Sequence, residues 1–475
     1  MYSFFKFYAL PLDFIGRVIY NVMIESVFFM NELTDKLTAG FRRIGLFGLG
    51  RSNLALLPYL SGCEVILRSE AVIDRNTLPA WIPNMRIYDG MHAFDDGGED
   101  LLIMSPSVRR ERPEFAKFAT RGVRFCSDVE LFFSLVSAPV YGVSGSDGKS
   151  TTTALAEMLA KATYPDATVC GNIGTPCCPL LSPERGAYVC ELSSFNLHYF
   201  SPRLVRGAIT NITENHLNWH DSFDEYIEAK MAIFRNTGEG VINFDDEISR
   251  HRAERSRIAA VTATANVSDA KRGFPDADVF AVRDGMIEKN GDPLFPVGAI
   301  RRREAHNVKN LLTALALTDG LWTTEWAQSV AECFGGLAHR CEYVGMRRGI
   351  EFFNSSIDTT PARTVATLTS LGRRVVIILG GRDKGLDPTP MTAALKKYGC
   401  GAVLLGECRE KLATALPEGI ACRFADDMEE AVERAIDLAE GCSTILLSPA
   451  ATSFDRYKSF EERGEHFKMI VMNLA

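Results

Sequence analysis

GVSGSDGKST, residues 142–151, follows an apolar run at Val140–Val143 and leads into a stretch of helical character, Thr151–Ala162. Strand, glycine-rich turn and helix in that order build an anion cradle. Glycines let backbone N–H groups converge on phosphate oxygens, and the helix N-terminus adds a favourable dipole. Lys149 can reach the terminal phosphates of a nucleotide, and Ser150 or Thr151 can offer a hydroxyl to Mg²⁺. A glycine-rich turn with a stray lysine would need neither the strand before it nor the helix after it.

Outward from this loop, strands and helices alternate, the pattern of parallel sheets with crossover helices. Upstream, 41–137 reads as a small doubly wound region. Its strands are expected at Ile44–Phe47, Glu64–Leu67, Asp100–Met104 and Val123–Cys126, with a helix from Asn53. Downstream, 138–338 carries the loop and further strands at Tyr188–Leu192, Ala208–Asn211 and Val241–Asn243. A helix is expected at Asn307–Thr318, and short strands and turns over 265–300. The segment 339–475 repeats the alternation, with strands at Arg374–Leu379, Ala402–Leu405 and Thr444–Leu447 and helices at Pro361–Leu371 and Met428–Glu440. Thr359 and Thr360 are candidate caps before the first-turn proline, Pro361.

At 475 residues the chain exceeds one ordinary core. Its net charge of -8 argues against a nucleic-acid partner. Twelve cysteines without any C-x-x-C spacing suggest no four-ligand zinc site and fit reduced thiols in a cytoplasmic protein. The aromatic, apolar first 30 residues are broken by Lys6, Asp13, Arg17 and Glu25, so no stable membrane insertion is expected. Residues 1–40 read as an N-terminal extension. An amphipathic surface helix fits its start, and an origin at Met30 fits slightly better.

Three further candidates follow the loop in order. In CELSSFNL (190–197) Glu191 ends a strand, where a carboxylate could hold Mg²⁺. In NITENHLNWH (211–220) His216 lies just past a buried strand, and EAKMAIF (228–234) presents Lys230 on a helix. Singly each has a blander reading: a solvated glutamate, a structural histidine, an exposed lysine. Their order and spacing after the loop form a set.

The loop departs from the common phosphate-binding spacing, with Val143 where the first glycine would stand and glycines at Gly142, Gly145 and Gly148. This G-x-x-G-x-x-G-K-S-T form, with the set above, resembles the Mur ligase and folylpolyglutamate synthetase superfamily. The resemblance covers roughly 41–475. It implies an α/β fold of three domains: a Rossmann-like N-terminal domain, a P-loop ATPase domain and a Rossmann-like C-terminal domain. It implies ATP and Mg²⁺ as cofactors, with Gly145, Asp147, Gly148, Lys149, Ser150 and Thr151 around the phosphates. Glu191 would bind one Mg²⁺, and His216 with a carbamylated Lys230 a second. AHNVKN (305–310) and HRCE (339–342) match two more elements, which would bring Asn307 and Asn310 to adenine or ribose and Arg340 to the phosphates.

GLGRSN (48–53) resembles the family's uridine-phosphate turn, with Gly50 and Ser52 as contacts; it lacks the third glycine of a dinucleotide site. SPSVRRERPE (105–114) would line the UDP-sugar site through Ser105 and Pro106, and Asn172 and Ser193 would join the muramoyl substrate. The tail LSPAATSFDRYKSFEERG (447–464) is similar to the signature of the family's D-glutamate-adding branch. On that match Ser453 and Phe460, with Lys384 of LGGRDKG and Thr359 of NSSIDTTPART, would meet D-glutamate. Asn215 and Ser355 stand where acidic residues are common, Asn196 where glutamine is usual, and Ser107 where glycine is usual. The implied activity is amide ligation through an acyl phosphate, by a monomer acting on UDP-N-acetylmuramoyl-L-alanine, D-glutamate and ATP. Alternatives are a relative using another amino acid, folylpolyglutamate synthetase, or a non-ligating nucleotide-binding subunit. The domain before the loop speaks against the folate enzyme.

Overall fold

The computed structural model describes residues 34–73, 75, 78, 85–172, 175–253, 256–265, 267–383 and 385–474. The reading of residues 1–30 therefore lies outside the described residues. The described chain forms three sheets and divides into two compact units, the second starting at Cys333.

The first sheet holds β1 (Arg43–Phe47), β2 (Glu64–Ser69), β3 (Met85–Asp89), β4 (Leu101–Met104) and β5 (Arg124–Cys126). Their order is β3-β2-β1-β4-β5, all parallel. β1 and β4 are apolar almost throughout because helices cover both faces of such a sheet. The chain reverses its direction of winding between β1 and β4, the place where doubly wound sheets bind ligands. Asn53 fastens that crevice, its Nδ2 donating to the carbonyls of Phe47, Gly48 and Ile103 at 3.1, 2.8 and 3.3 Å.

The second sheet contains β6 (Val140–Ser144), β7 (Thr168–Gly171), β8 (Tyr188–Glu191), β9 (Leu204–Ile209), β10 (Thr237–Asn243) and β11 (Ile258–Ala263). It ends with β12 (Asp278–Arg283), β13 (Met286–Lys289) and β14 (Asp292–Pro296). The order is β14-β13-β12-β11-β10-β9-β6-β8-β7, with only the β12–β13–β14 meander antiparallel. β6 lies between β8 and β9, so the loop after it opens at this sheet's own switch point. One apolar core, from Ile44 and Leu56 through Tyr188 to Ile242, runs through both sheets of the first unit.

In the second unit β15 (Glu342–Arg347) pairs antiparallel with β16 (Ile350–Asn354) at one edge. β17 (Val375–Gly380), β18 (Gly399–Leu405), β19 (Ala421–Phe424) and β20 (Thr444–Leu447) complete the order β15-β16-β20-β17-β18-β19. β17 reads VVIILG and is wholly buried, as a central parallel strand must be. Among the described residues no helix is long and apolar enough to cross a membrane.

Three strands of the first unit escape the sequence pattern: β3 and β7 lie at sheet edges and are mostly half-buried, and β11 is alanine-rich. The helix after the loop spans Lys149–Ala160, two residues earlier than its apolar spacing predicts. The region 265–300 holds its expected short strands and also a helix, Val267–Gly273.

Candidate active site

The loop's shape follows from two glycines in the left-handed range. Gly145 has φ +137° and a side chain there would strike Thr210; Gly148 has φ +79° and one there would strike the Asn310 amide. Gly148 caps the helix, which makes Lys149 and Ser150 its first residues. Lys149 Nζ bends over the loop, donating to the carbonyls of Gly145 and Ser146 at 2.9 and 2.8 Å. Neighbouring strand ends brace the turn. Ser146 N donates to Asn211 O at 2.8 Å, Asp147 N to Asn211 Oδ1 at 3.0 Å, and Thr210 Oγ1 to Asp147 O at 2.6 Å.

Glu191 ends β8 beside this loop and is 1% exposed. Its Oε1 accepts from Asn172 Nδ2 at 3.0 Å, while its buried Oε2 has no hydrogen-bond partner among the described residues. A buried carboxylate oxygen left unsatisfied is costly, and a hard cation beside the buried Ser150 would satisfy it. Lys230, expected on an exposed helix face if merely structural, is instead 2% exposed. Its Nζ donates to Gly145 O at 2.6 Å and lies 4.6 Å from the Tyr226 ring centroid. Burial, aided by the Lys149 cation, pushes the Lys230 amine well below the usual lysine range.

His216 follows with φ +55°, an uncommon conformation for a residue with a side chain. Asn215 Oδ1 accepts from its N–H at 2.9 Å, and the Phe195 ring packs 4.9 Å from the imidazole. Burial, and the charges of Lys230 and Lys149, lower its pKa and favour the neutral ring that can ligate a cation. The loop, Glu191, Lys230 and His216 thus gather at the ends of β6, β8 and β9. Asn310 is buried against Gly148, while Asn307 turns to Glu304, donating to Oε2 at 3.0 Å.

At the crevice of the first sheet, Gly50 caps the helix Arg51–Leu56, which carries Ser52. Gly48 has φ +81°, and a side chain there would press on Ser105 Cβ. Ser105 and Asn196 line one small pocket with Arg110 and Phe195. Asn196 forms a capping box with Ser193, so the departure from glutamine at 196 still completes a helix N-terminus. Sequence reasoning missed Arg109, on the loop after β4. Its guanidinium donates to Asp221 Oδ1 at 2.7 Å, Trp219 O at 2.9 Å and Glu225 Oε1 at 3.0 Å. It also missed a buried thiol group, Cys170, Cys177 and Cys190, where burial pushes the Cys170 thiol up and away from the thiolate that a metal takes.

Two family models match the chain: the Mur ligase middle domain over residues 143–318 and the Mur ligase glutamate ligase domain over 339–451. A UDP-N-acetylmuramoylalanine–D-glutamate ligase of Coxiella burnetii is 32% identical over 441 residues, covering 89% of this chain and 97% of its own. The chain belongs to the Mur ligase family. The ligase of the same name from Hahella chejuensis is 34% identical over 448 residues, covering 91% of this Mur ligase and 98% of its own length. The crystal structure of UDP-N-acetylmuramate-alanine ligase from Thermotoga maritima shares the fold, with TM-score 0.56, 20% identity and coverage of 91% and 99%. This Mur ligase is accordingly an ATP-dependent ligase.

Its second unit presents the remaining candidates before β15 and after β16, β17 and β20. Thr359 precedes Thr360, the cap of helix Pro361–Leu371. Ser453 is buried, and Phe460 opens the helix Phe460–Asn473. Lys384 lies outside the described residues. Arg340 is exposed, between His339 (φ +60°) and Cys341 (φ +46°). Two buried charges had no sequence signal. Asp358 accepts from Ser448 Oγ at 2.7 Å, with Ser355 and Thr367 also bonded to it. Arg463 donates to Ser356 O at 2.9 Å, Ala451 O at 3.1 Å and Gly380 O at 3.3 Å, tying the ends of all three strands together.

Proposed function

We propose that this Mur ligase adds D-glutamate to UDP-N-acetylmuramoyl-L-alanine in peptidoglycan precursor synthesis. Two relatives bearing that activity in their names match nearly end to end, which supports the choice of amino acid. The observation that carries the reaction type is the glycine cradle with Lys149 beside a buried Glu191 oxygen that no group among the described residues satisfies.

The substrate carboxylate attacks the γ-phosphate of ATP, giving an acyl phosphate and ADP. The amino group of D-glutamate then attacks the acyl carbon, forming the amide and releasing phosphate. Lys149 and the N–H groups of 145–151 stabilise charge on the transferring phosphoryl group. Arg340 is assigned to the phosphates, and Asn307 and Asn310 to the nucleoside, on the resemblance. Ser150 and Glu191 would hold one Mg²⁺ and His216 with Lys230 another; such ions neutralise phosphate charge. Lys230 suits that role as a carbamate. Its amine, which burial favours in the neutral form, takes up CO₂: a C–N bond forms, one proton leaves, and the neutral group becomes an anion. Gly50, Ser52, Ser105, Asn172 and Ser193 are assigned to the UDP-muramoyl substrate, and Thr359, Lys384, Ser453 and Phe460 to D-glutamate.

The same reading takes the protein as a cytoplasmic monomer of three domains, 41–137, 138–338 and 339–475, after an extension of 40 residues. Its twelve free thiols support a reducing compartment. The test is phosphate release from ATP with UDP-N-acetylmuramoyl-L-alanine while single amino acids are scanned. Release with D-glutamate alone is expected, and Lys384→Ala should raise the KM for it. Release with glycine or lysine instead would make this a relative of different specificity, and no release with any amino acid would make it a non-ligating subunit.

A further inference from the structure

Beside the catalytic loop, His198, His220 and Glu225 bring one ligand atom each to within 4.8 Å of one another. They come from three places: helix Ser194–Tyr199, the loop before Ser222, and helix Phe223–Met231. Both imidazoles turn Nδ1 toward the same carboxylate, His220 at 3.5 Å from Glu225 Oε2 and His198 at 3.9 Å from Oε1. The other nitrogen of each ring is already held. His198 Nε2 lies 3.3 Å from Glu111 Oε1, and His220 Nε2 lies 3.0 Å from Ser194 Oγ. A ring whose Nε2–H is donated to an outer partner presents its Nδ1 lone pair inward, the arrangement metal-bound histidines adopt. The His220 side chain is fully buried, and its Nδ1 has no hydrogen-bond partner among the described residues. Burial pushes its pKa down to about 4, so the ring is neutral at physiological pH.

We propose that His198, His220 and Glu225 form a site for a borderline divalent transition ion of the zinc class, separate from the nucleotide-linked Mg²⁺ positions. Two imidazole nitrogens and one carboxylate suit zinc or cobalt; Mg²⁺ prefers oxygen. Metal–ligand bonds of about 2.0–2.1 Å place tetrahedral donors about 3.4 Å apart. The two nitrogen–oxygen separations are already near that spacing. Charge is favourable too: Glu111, Asp221 and Glu225 surround one guanidinium, Arg109. Glu225 Oε1 accepts from Arg109 at 3.0 Å and Oε2 from Asp221 N at 2.6 Å, and each oxygen keeps a second lone pair for an ion. Because Glu111 belongs to the loop after β4, a bound ion would fasten that loop to the helix that carries Lys230.

The test uses full-length, tag-free protein stripped with chelator and titrated with Co²⁺ alone. A visible ligand-field band is expected, saturating at one ion per chain, displaced by Zn²⁺ and indifferent to excess Mg²⁺. His198→Gln and Glu225→Gln should abolish the band, and His216→Gln should retain it. Absence of the band, its survival in the first two variants, or its loss in the third would overturn the site. Should either variant fail to fold, the wild type decides: Zn²⁺ is expected to protect His198 from diethyl pyrocarbonate, read by peptide mass spectrometry. Unchanged modification of His198 counts against the site.

Discussion

Lys149 and Lys230 share one acceptor, the carbonyl of Gly145, yet the two amines differ in kind. Lys149 is part-buried on the loop's surface and, in the proposed reaction, carries the charge that a transferring phosphoryl group needs. Lys149→Ala is expected to lower kcat by about 10²- to 10³-fold or more, the scale on which removing one group that stabilises transition-state charge is felt; single-turnover phosphate release would show it. Asp358 makes a different prediction. Burial raises its folded pKa above 3.8 despite bonds from Ser448, Ser355 and Thr367. A carboxyl raised on folding contributes stability that is complete below the unfolded pKa and is lost as pH rises through the folded value. Wild type should therefore lose stability relative to Asp358→Asn as pH climbs above about 4. Urea midpoints of both proteins across that range would reveal it, and parallel curves would contradict it.

Two helix starts set the element scale. Gly148 begins the helix Lys149–Ala160 from the left-handed region, with Asn310 where a side chain would go. Gly148→Ala should cost about 1–2 kcal/mol of stability from backbone strain alone, and more from displacing Asn310. Nucleotide affinity should fall with it, measured by calorimetry beside denaturant unfolding. Ser459 caps Phe460–Asn473, its side chain accepting from Glu462 N. Ser459→Ala should remove about 1 kcal/mol, and Ser459→Gly less. Equal losses would mean that the hydroxyl is not the cap that matters. The first helix was partly legible, since the glycine–lysine–serine run marks its start; the second was not among the expected helices, although Ser459 with Glu462 three residues later has the spacing of a capping box. The left-handed Gly148, which moves the first helix forward by two residues, has no signature of its own, because glycine is equally at home in a turn.

For the whole molecule, each unit has its own buried core, so unfolding need not be a single step. A nonhydrolysable ATP analogue with Mg²⁺ should raise the transition of the unit that holds residues 142–151, by about 2.7 kcal/mol at a hundred times Kd. The other transition should respond less. Calorimetry with and without the analogue separates them, and an equal rise in both would show that the units unfold together.

The sequence alone determined the order of strand, glycine turn and helix, the alternation that makes parallel sheets, and the short motifs that place Lys149, Glu191, His216 and Lys230 in one family. Those features are local: they depend on spacing of a few residues and on which side chains tolerate which backbone. Tertiary structure alone decided that Glu191 keeps an oxygen without a partner among the described residues, that Lys230 is buried rather than exposed, and that Asp358 and Arg463 lie at the centre of the second unit's strand ends. It also brought His198, His220 and Glu225 together from three elements. Burial and desolvation arise from neighbours distant in the chain, and no local spacing encodes them.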